Sequence, residues 1–311
     1  MARGVGPGVI DRAFGRIAEG LIHYRHVAGE GVPLLLLHAS PGSSANLVPL
    51  IDALTATGRA PAIIAPDTPG NGDSAALTVE APQMADYADA LVRLMDALGI
   101  DRATLYGAHT GARIAVEAGV LYPDRVAAVV ADGIGEYSGN LRDELIARYA
   151  PEVAPDDYGS HLLWAFHFVR DQALHFPHYQ RDPEHRLMTR AVPDAQALHG
   201  AAMEVLKALG TYHHAYRAAF AYPTRARLER LTRPFHLIDA VGELPALRTQ
   251  AADLAQVAPD CRLIPIEAGL PAKAEAILDA ISGERRRSPR SSGHGLGAGR
   301  RSRSGRCAAR R

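Results

Sequence analysis

The residue in this sequence best suited to chemistry is a histidine at the centre of a tight turn. Residues 107–111 read Gly-Ala-His-Thr-Gly, between a short apolar run at 103–106 and a helical pattern at 112–118. This arrangement predicts a strand, a sharp turn and a helix, with His109 at the turn. An imidazole at such a turn can act as a nucleophile or as a general base. Either role requires a partner that holds the second ring nitrogen.

Two further segments lie before this turn, each at the end of a predicted strand. Residues 34–44 read Leu-Leu-Leu-Leu-His-Ala-Ser-Pro-Gly-Ser-Ser, and residues 60–74 end in Asp-Thr-Pro-Gly-Asn-Gly-Asp-Ser. In this order, the three segments resemble the oxyanion loop, the Asp-x-Pro-Gly-x-Gly-x-Ser loop and the nucleophile elbow of the α/β-hydrolase superfamily. The resemblance covers roughly residues 20–282, with Ala39 where that family usually has glycine. The Gly-x-His-Thr-Gly elbow and the stretch 159–179 further resemble a bacterial subgroup of this superfamily.

The resemblance implies an α/β-hydrolase fold, with a mostly parallel eight-stranded sheet, helices on both faces and a helical cap. Alternating strand and helix patterns along the chain also favour such a sheet. We expect core residues at 1–136, a cap at 137–231 and further core at 232–284, with a final helix over 271–282. The cap segment carries eight of the fourteen histidines, and we expect it to shape the substrate cavity.

The resemblance also implies a catalytic serine, an acid and a histidine, and two of these three positions differ in this chain. His109 stands in place of the serine, and residues 267–271 (Glu-Ala-Gly-Leu-Pro) lack the expected histidine. Glu243 lies in the loop where the family has its acid. We expect Asp132, at the exit of the sixth strand, to orient His109, with Glu243 as second choice. Alternatively, Asp132 caps a turn and Glu243 is a solvated loop residue.

Backbone N–H groups beside the elbow form a candidate oxyanion hole. We expect those of Thr110 and of Ala39 or Ser40 to stabilise an oxyanion or an enolate. The candidate pocket side chains are His38, Trp164, His167 and Phe168. Of these, His38 is expected to brace its loop, whereas the other three share one face of a helix that begins near residue 160. Asp171 shares that face, but the spacing matches no strong metal motif, so we predict neither a metal nor a cofactor.

Composition indicates a single soluble domain with a basic tail. The chain has 311 residues, 47% of them hydrophobic, which is enough for a large core. Residues 285–311 contain ten arginines and no acid, so this tail carries +10 and residues 1–284 carry −10. We expect the tail to be disordered. Nucleic acid is an unlikely partner, because the tail has no aromatic residue for base stacking.

Targeting signals and cysteines add little. The first residues show no apolar signal segment, and the apolar runs are shorter than a membrane span, so we expect a cytoplasmic protein without a membrane partner. Cys261 and Cys307 are the only cysteines, which indicates no disulfide framework. The expected partner is a small-molecule substrate, and the oligomeric state stays open.

Three classes of function fit these residues. The first is a cofactor-independent hydrolase of a small ester, lactone, amide or activated C–C bond, with His109 in place of serine. The second is a lyase, cyclase or isomerase that uses His109 as a general base. The third is a catalytically inactive protein that binds a ligand in the pocket, because a fold does not fix a function. The sequence favours the first class and leaves the other two open.

Overall fold

A computed structural model describes residues 8–187 and 191–287 of the chain. The strands are β1 Asp11–Ile17, β2 Gly20–Val27, β3 Leu34–Leu37, β4 Ile63–Pro66, β5 Ala103–Ala108, β6 Val126–Asp132, β7 Phe235–Ala240 and β8 Cys261–Ile266. The helices are α1 Val48–Ala56, α2 Met84–Ala97, α3 Thr110–Leu121, α4 Gly139–Arg148, α5 Ser160–Leu174, α6 Ala195–Lys207, α7 Tyr212–Ala221, α8 Thr224–Leu228, α9 Pro245–Val257 and α10 Leu270–Arg287.

All eight strands belong to one sheet with the order β1-β2-β4-β3-β5-β6-β7-β8. Strand β2 is antiparallel to its two neighbours, and the remaining pairs are parallel. The predicted mostly parallel eight-stranded sheet is confirmed. Strand β5 lies between β3 and β6, so the loops that follow these three strands meet at the same edge of the sheet.

Helices cover both faces of the sheet. Because side chains alternate along a strand, Leu105 of β5 packs with α2 and α3, whereas Tyr106 packs with α1 and α10. Helix α2 buries one apolar face and has Gln83 at its N-cap. Burial on both faces explains why β3 consists of four leucines.

The cap lies between β6 and β7 and has an apolar core of its own. Helices α4 to α7 pack around aromatic side chains, among them Tyr149, Phe168, Tyr212 and Phe220. The cap helices extend from Gly139 to Leu228, inside the segment predicted at 137–231.

The last helix is longer than predicted. Helix α10 spans Leu270–Arg287, so residues 285–287 continue it instead of opening the tail. Arginine and glutamate are good helix formers, which accounts for the extension. The rest of the predicted tail, 288–311, lies outside the described residues. In the described part of the chain, no helix combines the length and the apolar character needed to cross a membrane.

Candidate active site

His109 occupies the sharp turn between β5 and α3. Its backbone angles are φ 49° and ψ −102°, and among the described residues it alone has a positive φ without being glycine. Glycines make the turn possible: a Cβ on Gly107 would lie 2.2 Å from the carbonyl oxygen of Gly111, and one on Gly111 would lie 2.2 Å from that of Leu37. A strained residue of this kind persists only where its surroundings enforce it. The side chain of His109 is 39% exposed.

Glu243 is the carboxylate that contacts the imidazole. The Nε2 atom of His109 lies 3.4 Å from Oε2 of Glu243, in the loop after β7. The other carboxylate oxygen accepts a hydrogen bond from the backbone N–H of Leu244 at 2.6 Å. Gly133, with φ +68°, leaves the space for this contact, because a Cβ there would lie 2.7 Å from both Glu243 Oε2 and His109 Cε1. The second choice of partner is therefore the one that the fold brings to His109.

Asp132 serves the site through its backbone. Its carbonyl oxygen accepts a hydrogen bond from the N–H of His109 at 2.8 Å. Its carboxylate accepts a hydrogen bond from the hydroxyl of Tyr106 at 2.8 Å and pairs with Lys273 of α10. Strand alternation places this side chain on the face of the sheet that α10 covers. The preference for the Asp132 carboxylate as the orienting partner of His109 was therefore wrong.

The residues of the candidate oxyanion hole line one cavity together with His109. Ala39, Ser40, His109 and Thr110 all line a cavity of about 220 Å³. The N–H of Gly42 donates to the carbonyl of Ala39 at 3.0 Å and closes the loop after β3. The hydroxyl of Tyr216 in the cap donates to the carbonyl of Ser40 at 2.8 Å. This hydrogen bond ties the candidate oxyanion loop to the cap.

His38 braces that loop from behind. Its Nε2 accepts a hydrogen bond from the N–H of Thr68, and its Nδ1 donates to the carbonyl of Ala39, both at 2.9 Å. These two partners require the neutral ring with its proton on Nδ1. Burial lowers the pKa of His38, which also favours the neutral ring. His38 is not among the cavity-lining residues, so it supports the loop without meeting a substrate.

The cap residues that line the cavity differ from those predicted. They are Tyr137, Tyr149, Gln172, Phe176, Tyr216, Ala219 and Phe220. Trp164 and Phe168 instead stack on each other, with ring centroids 4.9 Å apart, and contribute to the cap core. His167 is exposed. The predicted face of α5 packs inside the cap, and Gln172 is the residue of α5 that lines the cavity.

Sequence reasoning missed Arg113, which lines the same cavity. It lies four residues after His109, one turn along α3, and is only 3% exposed. Its Nη1 and Nη2 groups donate to the carbonyls of His109 and Gly135 at 3.0 and 2.6 Å. The i, i+4 spacing from the elbow was the signal that could have found it.

A group of residues at metal-ligand distance elsewhere in the described chain is already occupied. His23, Asp67 and Asp73 bring their ligand atoms together, but Nδ1 of His23 contacts Asp67 at 2.9 Å and its Nε2 accepts from Nε of Arg12 at 2.9 Å. Asp73 pairs with Arg12 and with Lys207. These cations compensate the carboxylates, and the group functions as a polar network behind the Asp67 loop. The prediction that no metal or cofactor is required stays a prediction.

Comparison with known proteins identifies the family. The family model for the alpha/beta hydrolase fold matches residues 32–220, more than half of the chain, and the chain belongs to this family. The predicted fold class and superfamily are confirmed. The bacterial subgroup stays a prediction.

Curated relatives carry the names of hydrolases. The chain is 32% identical over 126 residues to a 2-hydroxy-6-oxo-6-phenylhexa-2,4-dienoate hydrolase of Comamonas testosteroni, a match that covers 38% of this chain and 42% of that protein. It is 29% identical over 211 residues to the protein of the same name from Burkholderia cepacia, covering 62% and 72%. The first match spans less than half of that relative, so substrate and activity are argued below from the site.

Solved structures agree on the fold. A hydrolase from Pseudomonas aeruginosa superposes with a TM-score of 0.63 at 19% identity, over 88% of this chain and 98% of that one. An enol-lactonase from Burkholderia xenovorans gives a TM-score of 0.60 at 17% identity, over 88% and 100%. At these identities the likeness concerns the fold alone.

Proposed function

We propose that this protein hydrolyses a small carbonyl compound, such as an ester, a lactone, an amide or an activated C–C bond, with His109 as the central catalytic group. The observation that carries the proposal is the contact of 3.4 Å between His109 Nε2 and Glu243 Oε2 at a strained turn that faces a cavity. A carboxylate against one ring nitrogen fixes the tautomer and the orientation of the ring, and leaves the other nitrogen free to accept a proton.

The proposed mechanism uses His109 as a general base for water. The carboxylate of Glu243 accepts a hydrogen bond from the Nε2–H, so Nδ1 carries the lone pair and takes a proton from water as its oxygen attacks the substrate carbonyl. The N–H groups of Thr110 and of Ala39 or Ser40 stabilise the resulting oxyanion. The protonated imidazole then gives its proton to the leaving group, and the products are a carboxylic acid and the protonated leaving group. Water is the only co-substrate.

Two other routes use the same groups and are separable by experiment. If Nδ1 attacks the carbonyl directly, the bond to the leaving group breaks, the leaving group departs with a proton, and the acyl-imidazole that remains is hydrolysed by water. If Nδ1 removes a proton from carbon, the oxyanion donors stabilise an enolate, and the protein is a lyase, cyclase or isomerase. Rapid acid quench followed by mass spectrometry detects the acylated chain of the first route. Solvent deuterium incorporated into carbon reports the second.

The central test compares wild type with His109→Ala on short and medium p-nitrophenyl esters and on lactones. The general-base role predicts a loss of about 10²- to 10⁴-fold in kcat/KM for His109→Ala. Glu243→Gln should lose less, since the imidazole remains. His109→Ser should be inactive, because residues 267–271, directly after β8, contain no histidine to activate the serine.

His199→Ala is the matched control, because His199 is an exposed histidine of α6 outside the cavity lining. It should retain wild-type rates. Retained turnover in His109→Ala would overturn the proposed mechanism. If wild type itself turns over none of these compounds, the proton-transfer and ligand-binding alternatives gain weight.

A further inference from the structure

We propose that Arg113 recognises an anionic group of the ligand, and that the cavity is built for a small carboxylate with an unsaturated or aromatic body. The inference deepens the proposed function, since it names the substrate class of the same site. The central claim, that Arg113 binds a carboxylate of the ligand, concerns binding and can be tested without turnover.

Arg113 is a buried cation without a carboxylate of its own. Its two hydrogen bonds go to the neutral carbonyls of His109 and Gly135. Within the described residues no carboxylate lies at ion-pair distance from it, and its Nε has no hydrogen-bond partner. A fully buried charge is retained at a considerable cost unless something pairs with it. The missing partner is therefore an acceptor that enters the cavity.

The surrounding acids are engaged elsewhere. Glu243 contacts His109, and Glu136 accepts a hydrogen bond from the backbone N–H of Arg225 at 2.7 Å. Burial lowers the pKa of Arg113, and the more distant charges of Glu136 and Glu243 offset this only in part. An arginine nevertheless stays charged in a protein. None of these acids forms an ion pair with Arg113, so its charge is available to an acceptor in the cavity.

The cavity walls suit the rest of such a ligand. Among the residues that the structure describes, no aspartate or glutamate lines the cavity. The guanidinium carbon of Arg113 lies 5.9 Å from the ring centroid of Tyr137. Phe176, Phe220 and Tyr149 complete an aromatic surface, and flat unsaturated groups pack well on such surfaces. A free N–H of guanidinium can then donate to a carboxylate oxygen.

The test measures binding in a chain that cannot turn over. His109→Ala keeps the backbone carbonyl that Arg113 uses, so the full-length His109→Ala protein is titrated calorimetrically with trans-cinnamate and with cinnamamide, its neutral counterpart. We expect cinnamate to bind at least about tenfold more tightly than the amide, which corresponds to about 1.4 kcal/mol. Equal affinity for the acid and the amide would overturn the inference, and this comparison needs no change at Arg113.

Variants at position 113 assign the effect to the side chain. Arg113→Gln removes the charge and should abolish the preference for the acid. Arg113→Lys keeps a charge without the planar donor group and should retain only part of it. Circular dichroism and the melting temperature establish that each variant is folded. A preference for cinnamate that survives in folded Arg113→Gln would also contradict the assignment.

Kinetics separate this inference from the proposed hydrolysis. Wild type and Arg113→Gln are compared on two esters of the same chain length. The p-nitrophenyl monoester of glutarate carries a free carboxylate, whereas p-nitrophenyl valerate carries none. Turnover of both esters with equal kcat/KM would sink the anion recognition and leave hydrolysis standing. Conversely, no turnover of either ester, together with Arg113-dependent binding of cinnamate, would remove the hydrolysis and keep the recognition.

Discussion

At the scale of single residues, His109 and Gly133 depend on each other. His109 reaches Glu243 only because the residue opposite has no side chain, and Gly133 also adopts a positive φ of +68°. Position 133 therefore requires glycine for two reasons: the positive φ of the backbone and the space that the imidazole and Glu243 occupy. Substitutions can separate these reasons, because Gly139 also has a positive φ but has open space around it.

Gly133→Ala should impair catalysis more than folding. The added methyl would meet Glu243 Oε2 and His109 Cε1, each at 2.7 Å, and must displace one of them. Misplacement of a catalytic group by about 1 Å can cost about 10²-fold in rate. The measurement is kcat/KM together with the free energy of unfolding in urea.

Gly139→Ala is the control for backbone strain. Gly139 also has a positive φ, +54°, but a Cβ there would meet nothing within 4 Å. Both variants should lose about 1–2 kcal/mol of stability from the left-handed conformation, and only Gly133→Ala should lose activity. Equal activity of the two variants would show that the geometry of the His109 and Glu243 pair is not required.

At the scale of elements, a buried polar junction fastens the last helix beneath the elbow. Lys273 of α10 pairs with Asp132 at the end of β6, and Tyr106 of β5 donates to the same carboxylate oxygen. The Asp132 side chain is 4% exposed and that of Lys273 is 25% exposed. The junction joins α10 to the two strands that hold His109, in the part of the chain where the family has its catalytic histidine.

Lys273→Met should destabilise the fold while leaving chemistry nearly intact. Removal of one partner from a buried ion pair costs about 3–5 kcal/mol, and the partial exposure of Lys273 places this case at the lower end. The backbone hydrogen bond from His109 to Asp132 does not involve the lysine, so kcat should change little. Urea unfolding and initial rates on the same preparation provide the test.

The double variant Lys273→Met with Asp132→Asn completes the cycle. It should be more stable than the sum of the two single losses predicts, because it leaves no unpaired buried charge. Additive losses would mean that the pair contributes no mutual stabilisation. A loss of kcat with unchanged stability in Lys273→Met would instead move the lysine into the catalytic machinery.

At the scale of the whole molecule, neutral buried histidines make stability depend on pH. Burial lowers the pKa values of His38 and His178 and lowers that of His213 to about 4. In the unfolded chain these side chains titrate near the ordinary value of about 6.5. Below that pH the unfolded state binds protons that the folded state excludes, so the free energy of unfolding falls as the pH falls.

The expected result is a loss of stability between pH 7 and pH 5 that begins near pH 6.5. Each excluded proton contributes a slope of at most about 1.4 kcal/mol per pH unit. His213→Gln should flatten the dependence, because one such proton is removed, whereas His199→Gln, an exposed substitution, should not. Urea unfolding at closely spaced pH values measures the slope. Stability that is constant over this range would contradict the assignment of neutral, buried histidines.

The sequence by itself determined the architecture and the central residue. Runs of apolar residues and two glycines around His109 are local patterns, and they predicted β3, β5, the turn and α3 because hydrophobic periodicity and backbone freedom act over a few residues. The lack of a histidine in residues 267–271, directly after β8, was also visible in the residues themselves. The end of α10 was misjudged, since charged residues that favour helix also favour solvated tails.

Only the tertiary structure decided which side chains meet. Asp132 ends β6 and Glu243 follows β7 at the same edge of the sheet, and strand alternation together with Lys273 directs the Asp132 carboxylate away from His109. The packing of α5 inside the cap likewise withdrew Trp164 and Phe168 from the cavity. Arg113 looked like an ordinary helix residue until its burial showed a cation without a carboxylate. Side-chain direction and burial arise from contacts between residues distant in sequence, and local patterns do not record them.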